Sequence, residues 1–533
     1  MKRVVIFGMD GASYTVLDDL VRRGIMPYLG RFMASGTRAV LSSTVPPLTP
    51  IAWTSLVTGR TPGHHGITDF FHHDGGNSLL RVASTRQLCV DTVWAIVNRY
   101  GKRAGSLNFP VHNPAPRIDG YVIPGWVTWR WLKRDSHPAT LIDQLKREIP
   151  DFDIKDLAMR FSEEKKAVAG STVENYDPWI QLHMRREQQW FKILRHKLIT
   201  DPTELVGVVF DGVDKLQHLL WEFLDPRLEP AEPSTEFLRV RELCWDYFRQ
   251  LDGFLEETVA LAGPESQVLI VSDHGFTSTD EVLYINTWLE KEGYLAWKPE
   301  TKVAAEESQE LGEGFPYHLV AFDEAKTRAF AATASSNGIR IGNGIGTSTL
   351  SRGEYESLRR ELADALLTRC VNPETGERLV TRVWFREEIF AGPRMVQAPD
   401  LTLTLHDHGF FSIFRSDTVL KKRPRSLGTH HPDGVFVISG ADIRSSQSQR
   451  PTKLVDVVPT VLYAMGLPIS PELEGRVLEE AFTPERLASH PPLVESAPEA
   501  AESDGEKADE LDGVDGEDDP QILSRLRALG YLD

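Results

Sequence analysis

Three short runs of the chain are continuously apolar and rich in valine and isoleucine. They are RVVIF at 3–7, LVGVVF at 205–210 and QVLIV at 267–271. Such runs are typical of parallel strands that are buried on both faces. Between them lie helical patterns with apolar residues three and four positions apart, as at 239–263. Strands that alternate with helices predict an α/β fold with a doubly wound, mostly parallel sheet.

The remaining pattern predicts one large catalytic domain over 1–486 that carries helical and mixed insertions. The first insertion, at about 121–200, is rich in tryptophan and then strongly helical; the second occupies about 300–425. Residues 487–519 are mostly Pro, Ala, Glu and Asp. Such a composition cannot bury enough apolar surface to fold, so it predicts a disordered acidic C-terminal tail. The amphipathic end of the chain, 520–533, predicts a short helix.

Composition and charge exclude several classes of protein. A formal net charge of −18 argues against a general nucleic-acid binder, so no duplex nucleic acid is expected as a partner. The three cysteines, Cys89, Cys244 and Cys370, are far apart and predict neither a disulfide framework nor a C-x-x-C metal site. The first apolar run is shorter than the roughly 7–15 residues of a secretory signal, and no stretch approaches the roughly 18 of a membrane span. We therefore expect a cytoplasmic protein without a membrane span; its oligomeric state stays open.

Acidic residues directly follow all three buried strands. Asp10 follows the first strand, Asp211 and Asp214 follow the second, and Asp273 follows the third. In open α/β sheets, ligands bind outside the carboxyl ends of the strands. We therefore expect carboxylates from three separate strands to converge at one edge of the sheet.

The string DHGF occurs twice, and the two copies have different surroundings. Asp273 and His274 follow the apolar strand at 267–271, whereas Asp407 and His408 follow LTLTL. The strict alternation of LTLTL predicts a more peripheral strand with one solvent-facing side. An isolated Asp-His-Gly corner is more often a turn, and we keep that interpretation for the second copy. The position of the first copy favours a metal site.

Further metal ligands are offered by two other motifs. Asp214 and His218 in DGVDKLQH are four residues apart and share one face if the segment is helical, although a helix-start Asp and a surface His would be the simpler interpretation. His430 and His431 are adjacent, so we expect one ligand and one bystander. The candidate ligands are Asp10, Asp214, His218, Asp273, His274 and His430. Carboxylate and imidazole ligands suit zinc, with manganese or iron as alternatives, and six ligands divide naturally between two divalent ions.

A candidate nucleophile lies in VPPLTPIAWTSLVTGRTPGHHGI, at 45–67. Thr49 stands between Pro47 and Pro50, in a constrained turn ahead of a predicted helix. A helix N-terminus favours a bound phosphate. A threonine hydroxyl is a poor nucleophile unless a metal lowers its pKa, and without the metal ligands an N-cap role would be the simpler interpretation.

In this order, the motifs resemble the alkaline phosphatase superfamily, within its branch of type I phosphodiesterases/nucleotide pyrophosphatases and predicted phosphohydrolases or phosphomutases. The resemblance spans most of 1–485 and is carried by FGMDG, TPIAWTSLVTGRTPGHHGI, DGVDKLQH, VSDHGF, GTHHPDGVFVISG and DVVPTVLYAMGLP. It implies one ion held by Asp214, His218 and His430, and another held by Asp10, Asp273 and His274. It also implies that Thr49 lies between them as nucleophile and metal ligand.

Two departures from related patterns narrow the expected activity. Nucleotide pyrophosphatases carry an Asn shortly after the HGI string that grips a phosphate oxygen, and the aligned residue here is Phe70. This argues against nucleotide pyrophosphatase activity but not against phosphoryl chemistry. The sulfatase signature C-x-P-x-R is absent around Thr49, which argues against a formylglycine sulfatase.

The sequence thus predicts a two-metal phosphohydrolase acting on a phosphate mono- or diester, either a small molecule or one linked to lipid or sugar. Thr49 would form a phosphothreonine intermediate, which metal-bound hydroxide would hydrolyse. The alternatives are a phosphomutase or phosphotransferase on the same site, and a non-catalytic binding protein on the same scaffold; the complete ligand set argues against the second. Trp126, Trp129 and Trp131 could stack on a substrate, but core packing of the insertion is the favoured interpretation.

Overall fold

The computed structural model of the chain describes residues 3–73, 80–158, 176–298, 322–342 and 350–498. In chain order, the strands are β1 (Val4–Met9), β2 (Thr37–Ser42), β3 (Phe71–His73), β4 (Leu80–Val82), β5 (Ala104–Leu107), β6 (Gly120–Ile123), β7 (Leu205–Phe210), β8 (Gln267–Val271), β9 (Gly275–Leu283), β10 (Ala329–Phe330), β11 (Gly338–Ile341), β12 (Val380–Phe385), β13 (Leu401–Leu405), β14 (Leu420–His431), β15 (Asp433–Gly440), β16 (Ser446–Gln447) and β17 (Thr452–Lys453).

Helices connect and cover these strands. They are α1 (Tyr14–Arg22), α2 (Pro27–Ser35), α3 (Thr49–Thr58), α4 (Pro62–His65), α5 (Val93–Arg99), α6 (Trp129–Asp135), α7 (Leu141–Glu148), α8 (Ile154–Leu157), α9 (Asp177–Thr200), α10 (Gly212–Leu224), α11 (Thr235–Ala262), α12 (Ile285–Lys291), α13 (Arg352–Arg369), α14 (Arg386–Ile389), α15 (Val457–Ala464) and α16 (Pro484–Ser489). Short 3-10 helices occur at Thr85–Gln87, Pro226–Leu228, Met395–Gln397, Leu454–Asp456 and Glu479–Ala481. None of the helices in the described ranges is long and apolar enough to cross a membrane.

The described chain forms two compact units. The first contains the described residues of Met1–Thr61, Ser84–Phe276 and His431–Leu511. The second contains the described residues of Pro62–Ala83 and Thr277–His430. The second unit therefore includes every described residue of the predicted insertion at about 300–425.

The first unit is built on one large sheet. Its strands lie in the order β16-β2-β15-β8-β1-β7-β5-β6, with β17 also paired to β2. The strands from β8 to β6 are all parallel, and β15 is antiparallel to both β8 and β2. The doubly wound, mostly parallel sheet predicted from the sequence is therefore confirmed. Since Met9 pairs with Phe210 and Gly8 with Val271, the chain leaves β1, β7 and β8 at the same edge.

Helices cover both faces of this sheet. Successive side chains of its central strand β1 point to opposite faces, and all of them are buried, so both faces need a covering layer. Val4 and Ile6 pack in an apolar cluster with residues of α3, α5 and α15. On the other face, the ring of Phe7 lies 4.7 Å from that of Phe210 on β7, which in turn faces Phe254 of α11. Phe254 stacks at 4.2 Å on a phenylalanine of α9. Each such fully buried side chain contributes roughly 1.5–3 kcal/mol.

Strands β5 and β6 were not predicted from the sequence. Each has only four residues, and AGSL and GYVI include glycine and serine, which weaken the apolar signal. Both are almost entirely buried at one side of the sheet, next to β7. At Gly105 a Cβ atom would lie 2.4 Å from the ring of Tyr121, so this glycine permits the close pairing of the two strands.

The second unit contains a separate antiparallel sheet in the order β10-β11-β13-β12. Strand β13 is the LTLTL segment, and every residue in it except Thr404 is buried. The predicted solvent-facing side of this strand is therefore wrong. The reason is its central position, with β11 and β12 on either side and α13 packed on the sheet. Two-stranded pairs, β9 with β14 and β3 with β4, complete the described sheets of this unit.

The described part of the acidic tail, 487–498, remains attached to the first unit. Backbone hydrogen bonds join Ile469 N to Leu493 O at 2.8 Å and Glu495 N to Ile469 O at 3.0 Å. Tyr463 donates from its hydroxyl to His490 O at 2.8 Å. The rest of the predicted acidic linker and the predicted helix at 520–533 lie outside the described residues.

Candidate functional site

Three of the predicted ligands meet where β1 and β8 end. The potential ligand atoms of Asp10, Asp273 and His274 all lie within 4.8 Å of one another, and the three side chains are fully buried. Nε2 of His274 lies 3.3 Å from Oδ2 of Asp273 and 3.7 Å from Oδ1 of Asp10. The expectation that carboxylates from different strands meet at one edge therefore holds for this pair.

The electrostatics of this cluster fit a bound cation. Burial, followed by the nearby charges of Asp273 and Asp214, raises the pKa of Asp10 well above its usual value. Burial also raises the pKa of Asp273 to about 8. Within the described residues, no backbone N–H or alcohol hydroxyl donates a hydrogen bond to either carboxylate oxygen of Asp10. Buried charges are normally paired or bound to metals, so a divalent ion suits these donors.

The imidazole of His274 is oriented for ligation by the backbone of the next residue. Its Nδ1 lies 3.1 Å from the carbonyl oxygen of Gly275. A carbonyl oxygen only accepts, so Nδ1 carries the proton and Nε2 of the neutral ring keeps a lone pair. Metal-binding histidines commonly use such a bond to fix their tautomer. In His274 it turns the unprotonated Nε2 toward Asp10 and Asp273.

Thr49 lies beside this cluster, in the first turn of α3. Its Oγ1 is 3.2 Å from Nε2 of His274, and the residue is fully buried. Helix α3 begins at Thr49 itself, with Leu48 in the N-cap position, so Thr49 is not the N-cap residue. The hydroxyls of Thr54 and Thr58 instead donate to backbone carbonyls one turn earlier, both at 2.6 Å. Among these three hydroxyls, only that of Thr49 contacts the ligand cluster.

Asp214 and His218 lie on one face of α10, as their spacing predicted. Nε2 of His218 is 3.3 Å from Oδ1 of Asp214. Asp214 is fully buried and His218 is 5% exposed, so the alternative of a surface histidine is wrong. The ring of His218 packs edge-on against Phe276 at 4.9 Å. This pair offers one carboxylate and one imidazole, half of a tetrahedral metal site.

A buried ionic group that the sequence analysis did not identify supports α10. Nζ of Lys215 lies 3.6 Å from Oδ2 of Asp214 and 3.7 Å from Oδ2 of Asp211. Arg186 of α9 contacts Asp211 at 3.3 Å, and Glu187 accepts from Gly212 N at 2.5 Å. These residues balance the carboxylates and fix the start of the helix. Lys215 stands with Asp211 and Asp214 in the DGVDKLQH motif, but it is also covered by the ring of Trp126, which no local pattern indicates.

The adjacent histidines His430 and His431 differ in burial, and the second DHGF copy forms a turn. His430 is fully buried in the second unit, and its ring packs edge-on against Phe410 at 5.2 Å. His431 is partly exposed, and its Nδ1 accepts from Asp433 N at 3.2 Å. Asp407 accepts from the Thr279 hydroxyl at 2.6 Å and from Gly409 N at 2.9 Å, which are the contacts of a turn residue.

The three neighbouring tryptophans Trp126, Trp129 and Trp131 do not form a closed core. Trp129 is 45% exposed, and Trp126 and Trp131 are half-buried. The expectation of core packing is therefore wrong for Trp129, because it opens helix α6 on the surface. The ring of Trp126 lies 4.2 Å from Nζ of Lys215, which connects the insertion to the buried ionic group.

Several known structures share this fold. Phosphonoacetate hydrolase from Sinorhizobium meliloti 1021, in complex with phosphonoformate, aligns over 87% of this chain and 95% of its own, with a TM-score of 0.51 and 15% identity. An inactive variant of murine ectonucleotide pyrophosphatase/phosphodiesterase 5, in complex with AMP, aligns over 92% and 100%, with a TM-score of 0.51 and 13% identity. A variant of the alkaline phosphatase PafA aligns over 91% and 99%, with a TM-score of 0.51 and 13% identity. No curated protein matches the sequence.

These likenesses define the fold class as alkaline phosphatase-like, as the motifs predicted. The family model for type I phosphodiesterase / nucleotide pyrophosphatase matches residues 4–433. The chain belongs to this family, and it is a phosphoric ester hydrolase.

Proposed function

We propose that the protein hydrolyses a phosphate mono- or diester with Thr49 as the nucleophile and two divalent ions as cofactors. The observation that carries the proposal is the contact of Oγ1 of Thr49 with Nε2 of His274, inside the cluster with Asp10 and Asp273. A buried hydroxyl at a helix N-terminus, beside carboxylate and imidazole donors, has the surroundings that a phosphoryl acceptor needs.

Two sets of ligands are proposed. One ion would be held by Asp10, Asp273 and His274, and the other by Asp214, His218 and His430. The first set is supported by the geometry of its three buried donors. In the second set, Asp214 and His218 are adjacent on one helix face, and His430 is supported by its burial and by the family pattern. We propose zinc, with manganese or iron as alternatives, because these ions accept mixed carboxylate and imidazole ligands.

The chemistry divides into two displacements. When bound, the ions supply positive charge that lowers the pKa of the Thr49 hydroxyl and offsets charge on the phosphoryl oxygens. Thr49 loses its proton, its Oγ1 bonds to phosphorus, and the bond from phosphorus to the leaving oxygen breaks, the leaving alcohol taking up a proton. The oxygen of a water molecule then bonds to phosphorus, the bond to Thr49 breaks, and Thr49 regains a proton. The phosphoryl product carries the remaining hydroxyl of the water.

The setting of the reaction is also part of the proposal. We infer a small, lipid-linked or sugar-linked phosphate ester as the substrate, and a cytoplasmic location. The location is supported by Cys244 and Cys370, which are buried as free thiols, and by Cys89, which is an exposed one. Free thiols without disulfides are typical of a reducing compartment.

The test combines turnover with metal analysis. Protein purified without chelator is expected to carry about two transition-metal ions per chain and to hydrolyse p-nitrophenyl phosphate or bis-p-nitrophenyl phosphate. The preferred substrate of the two assigns monoester or diester specificity. Adding an acceptor alcohol separates hydrolysis from phosphoryl transfer, because transfer yields a new ester in place of free phosphate. Absence of stoichiometric metal, or of turnover with both substrates, would overturn the proposal.

A further inference from the structure

A buried glutamine joins the two proposed halves of the metal centre. Gln217 of α10 is fully buried, and its Nε2 donates to the carbonyl oxygen of Gly11 at 2.7 Å. Gly11 directly follows Asp10, and the two bonded residues are 206 positions apart in the chain. The bond therefore runs from the helix that carries Asp214 and His218 to the loop that carries Asp10.

On α10, Gln217 shares a face with the ligands. Residues three and four positions apart are neighbours on a helix surface, so Asp214, Gln217 and His218 lie side by side. The first turn of this helix is held separately by the bond from Gly212 N to Glu187. Beyond the ligands, Leu220 departs from helical geometry, with φ −120° and ψ 20°. The segment with the ligands is thus a short helical piece whose rotation the Gln217 bond opposes.

At the other end of the bond, the Gly11 loop has little freedom. Gly11 has φ +68°, and a Cβ atom there would lie 2.6 Å from the ring of Phe276 and 3.3 Å from that of His274. Gly11 N also donates to Oδ1 of Asp273 at 3.2 Å. One peptide loop therefore contacts Gln217 through its oxygen and the ligand Asp273 through its nitrogen. A shift of α10 would therefore displace the Gly11 loop, and with it Asp10 and the loop's contact with Asp273.

We infer that Gln217 is a positioning residue that fixes the two halves of the metal centre relative to each other, and so sets the geometry of the ion pair. This inference rests on the proposed two-ion function. An in-line displacement between paired ions depends strongly on their separation, and small displacements of a reacting group are known to cost large factors in rate. Loss of the Gln217 bond should therefore change the ion pair without removing either ion, because all six ligands remain.

Gln267 offers a closely matched control, because it begins β8 and so lies at the opposite end of that strand from Asp273 and His274. Gln267 is also buried, and its Nε2 also donates to a backbone carbonyl oxygen, that of Ala441, at 2.7 Å. In both glutamines Oε1 accepts no hydrogen bond from the described residues. Gln217→Met and Gln267→Met each remove one buried amide of the same kind while keeping side-chain length. Their costs in folding stability should be similar, whereas only Gln217 borders the ligands.

The experiment uses full-length protein loaded with Mn²⁺, with electron paramagnetic resonance, metal content, kcat, KM and melting temperature as readouts. Wild type and Gln267→Met are expected to show the same exchange-coupled signal of a manganese pair. Gln217→Met should still bind two ions per chain, but with a changed coupled signal. Its kcat should fall at least about tenfold while KM stays within about threefold. Melting temperatures after chelation should fall by similar amounts in both variants.

The outcomes separate this inference from the function on which it rests. If Gln217→Met keeps the wild-type signal and kcat while its melting temperature falls as in the control, Gln217 only stabilises the fold and the inference is overturned. If wild type itself shows no coupled pair, the two-ion function fails first. Should Gln217→Met not fold, Gln217→Leu provides the same test, because its side chain also cannot donate to Gly11 O.

Discussion

Oγ1 of Thr49 lies 3.2 Å from Nε2 of His274, although 225 positions separate the two residues in the chain. Thr49 is the first residue of helix α3, whereas His274 lies in the corner after β8, a central strand of the large sheet. Because Nδ1 of His274 faces the carbonyl oxygen of Gly275, the hydroxyl of Thr49 meets the unprotonated nitrogen. This contact determines which hydroxyl should react and which side chains should matter to it.

The first prediction concerns the nucleophile. Thr49→Ala should lower kcat by several orders of magnitude while two ions remain bound, because the aspartate and histidine ligands are unchanged. Thr49→Ser should keep much of the activity, since it restores a hydroxyl at the same position. Acid quench during turnover, followed by peptide mass spectrometry, should find phosphate on residue 49.

The neighbouring hydroxyls provide the control for this prediction. Thr54 and Thr58 donate to carbonyl oxygens within α3, so Thr54→Ala and Thr58→Ala should change kcat less than about threefold. Each should lower the free energy of unfolding by the contribution of one hydrogen bond, about 0.5–1.5 kcal/mol. A Thr49→Ala protein that stays active with metal bound would show that water attacks phosphorus directly, and the phosphotransferase alternative would lose its covalent intermediate.

The second prediction compares the two DHGF copies. Asp273→Ala should abolish turnover and lower metal content, because this carboxylate lies beside His274 in the ligand cluster. Asp407→Ala should leave kcat within a few-fold, because Asp407 bonds to Thr279 and Gly409 in a turn. Its expected cost is stability, roughly 1–3 kcal/mol for donors left unpaired. Steady-state assays and melting curves check both variants; equal losses of kcat would contradict the assignment.

The third prediction is that metal reverses the order of stability of wild type and Asp10→Asn. In metal-free protein, Asp10→Asn should raise the melting temperature by a few degrees, since a neutral amide replaces a buried carboxyl group that lies close to the carboxylates of Asp273 and Asp214. With metal present, wild type should become the more stable protein, because binding to the folded state adds stability that the variant loses. Melting curves of both proteins, with chelator and with added Zn²⁺, show whether the order of the two melting temperatures reverses.

Asp211→Asn is the matched control for this inversion. Asp211 is equally buried but pairs with Arg186 and lies near Lys215. Removing its charge leaves buried cations with less compensation, which typically costs about 3–5 kcal/mol. Asp211→Asn should therefore destabilise the protein with or without metal. An Asp10→Asn protein that melts lower than wild type in chelator would refute the idea that the cluster is strained without a cation.

The sequence predicted those parts of the site whose signal is local. Asp10 and Asp273 were found because buried parallel strands appear as unbroken apolar runs, and a ligand one or two residues past the strand end needs no further information. The shared face of Asp214 and His218 followed from helical spacing alone. The positions of these residues in the fold are therefore largely written in short segments of the chain.

Long-range partners account for what the sequence did not predict. Lys215 and Gln217 are polar residues in a helix, a pattern that normally indicates a solvent-exposed face. Lys215 lies against Trp126 of the first insertion, and Gln217 bonds to Gly11, which is 206 positions away. Strand β13 shows the same limitation, since its alternation of Leu and Thr concealed a central position between two other strands.

The last prediction concerns the end of the chain, where two truncations should behave differently. Deleting 499–533 should leave the melting temperature and kcat nearly unchanged, because most of this segment, 499–519, is acidic and offers few apolar residues to bury. Deleting 487–533 should lower the melting temperature, because it also removes the backbone bonds between 493–495 and Ile469, and the packing of Leu487 on the apolar cluster. Two backbone bonds and one partly buried leucine correspond to roughly 2–4 kcal/mol. Differential scanning calorimetry of both proteins measures the difference directly. The contacts of 487–498 named above go to Ile469 and Tyr463 and not to Thr49 or a proposed ligand, so kcat of the longer deletion should match wild type below its melting transition. Equal melting temperatures for the two truncated proteins would show that the contacts of 487–498 contribute nothing measurable, whereas a loss from the shorter deletion would mean that 499–533 packs on the folded protein.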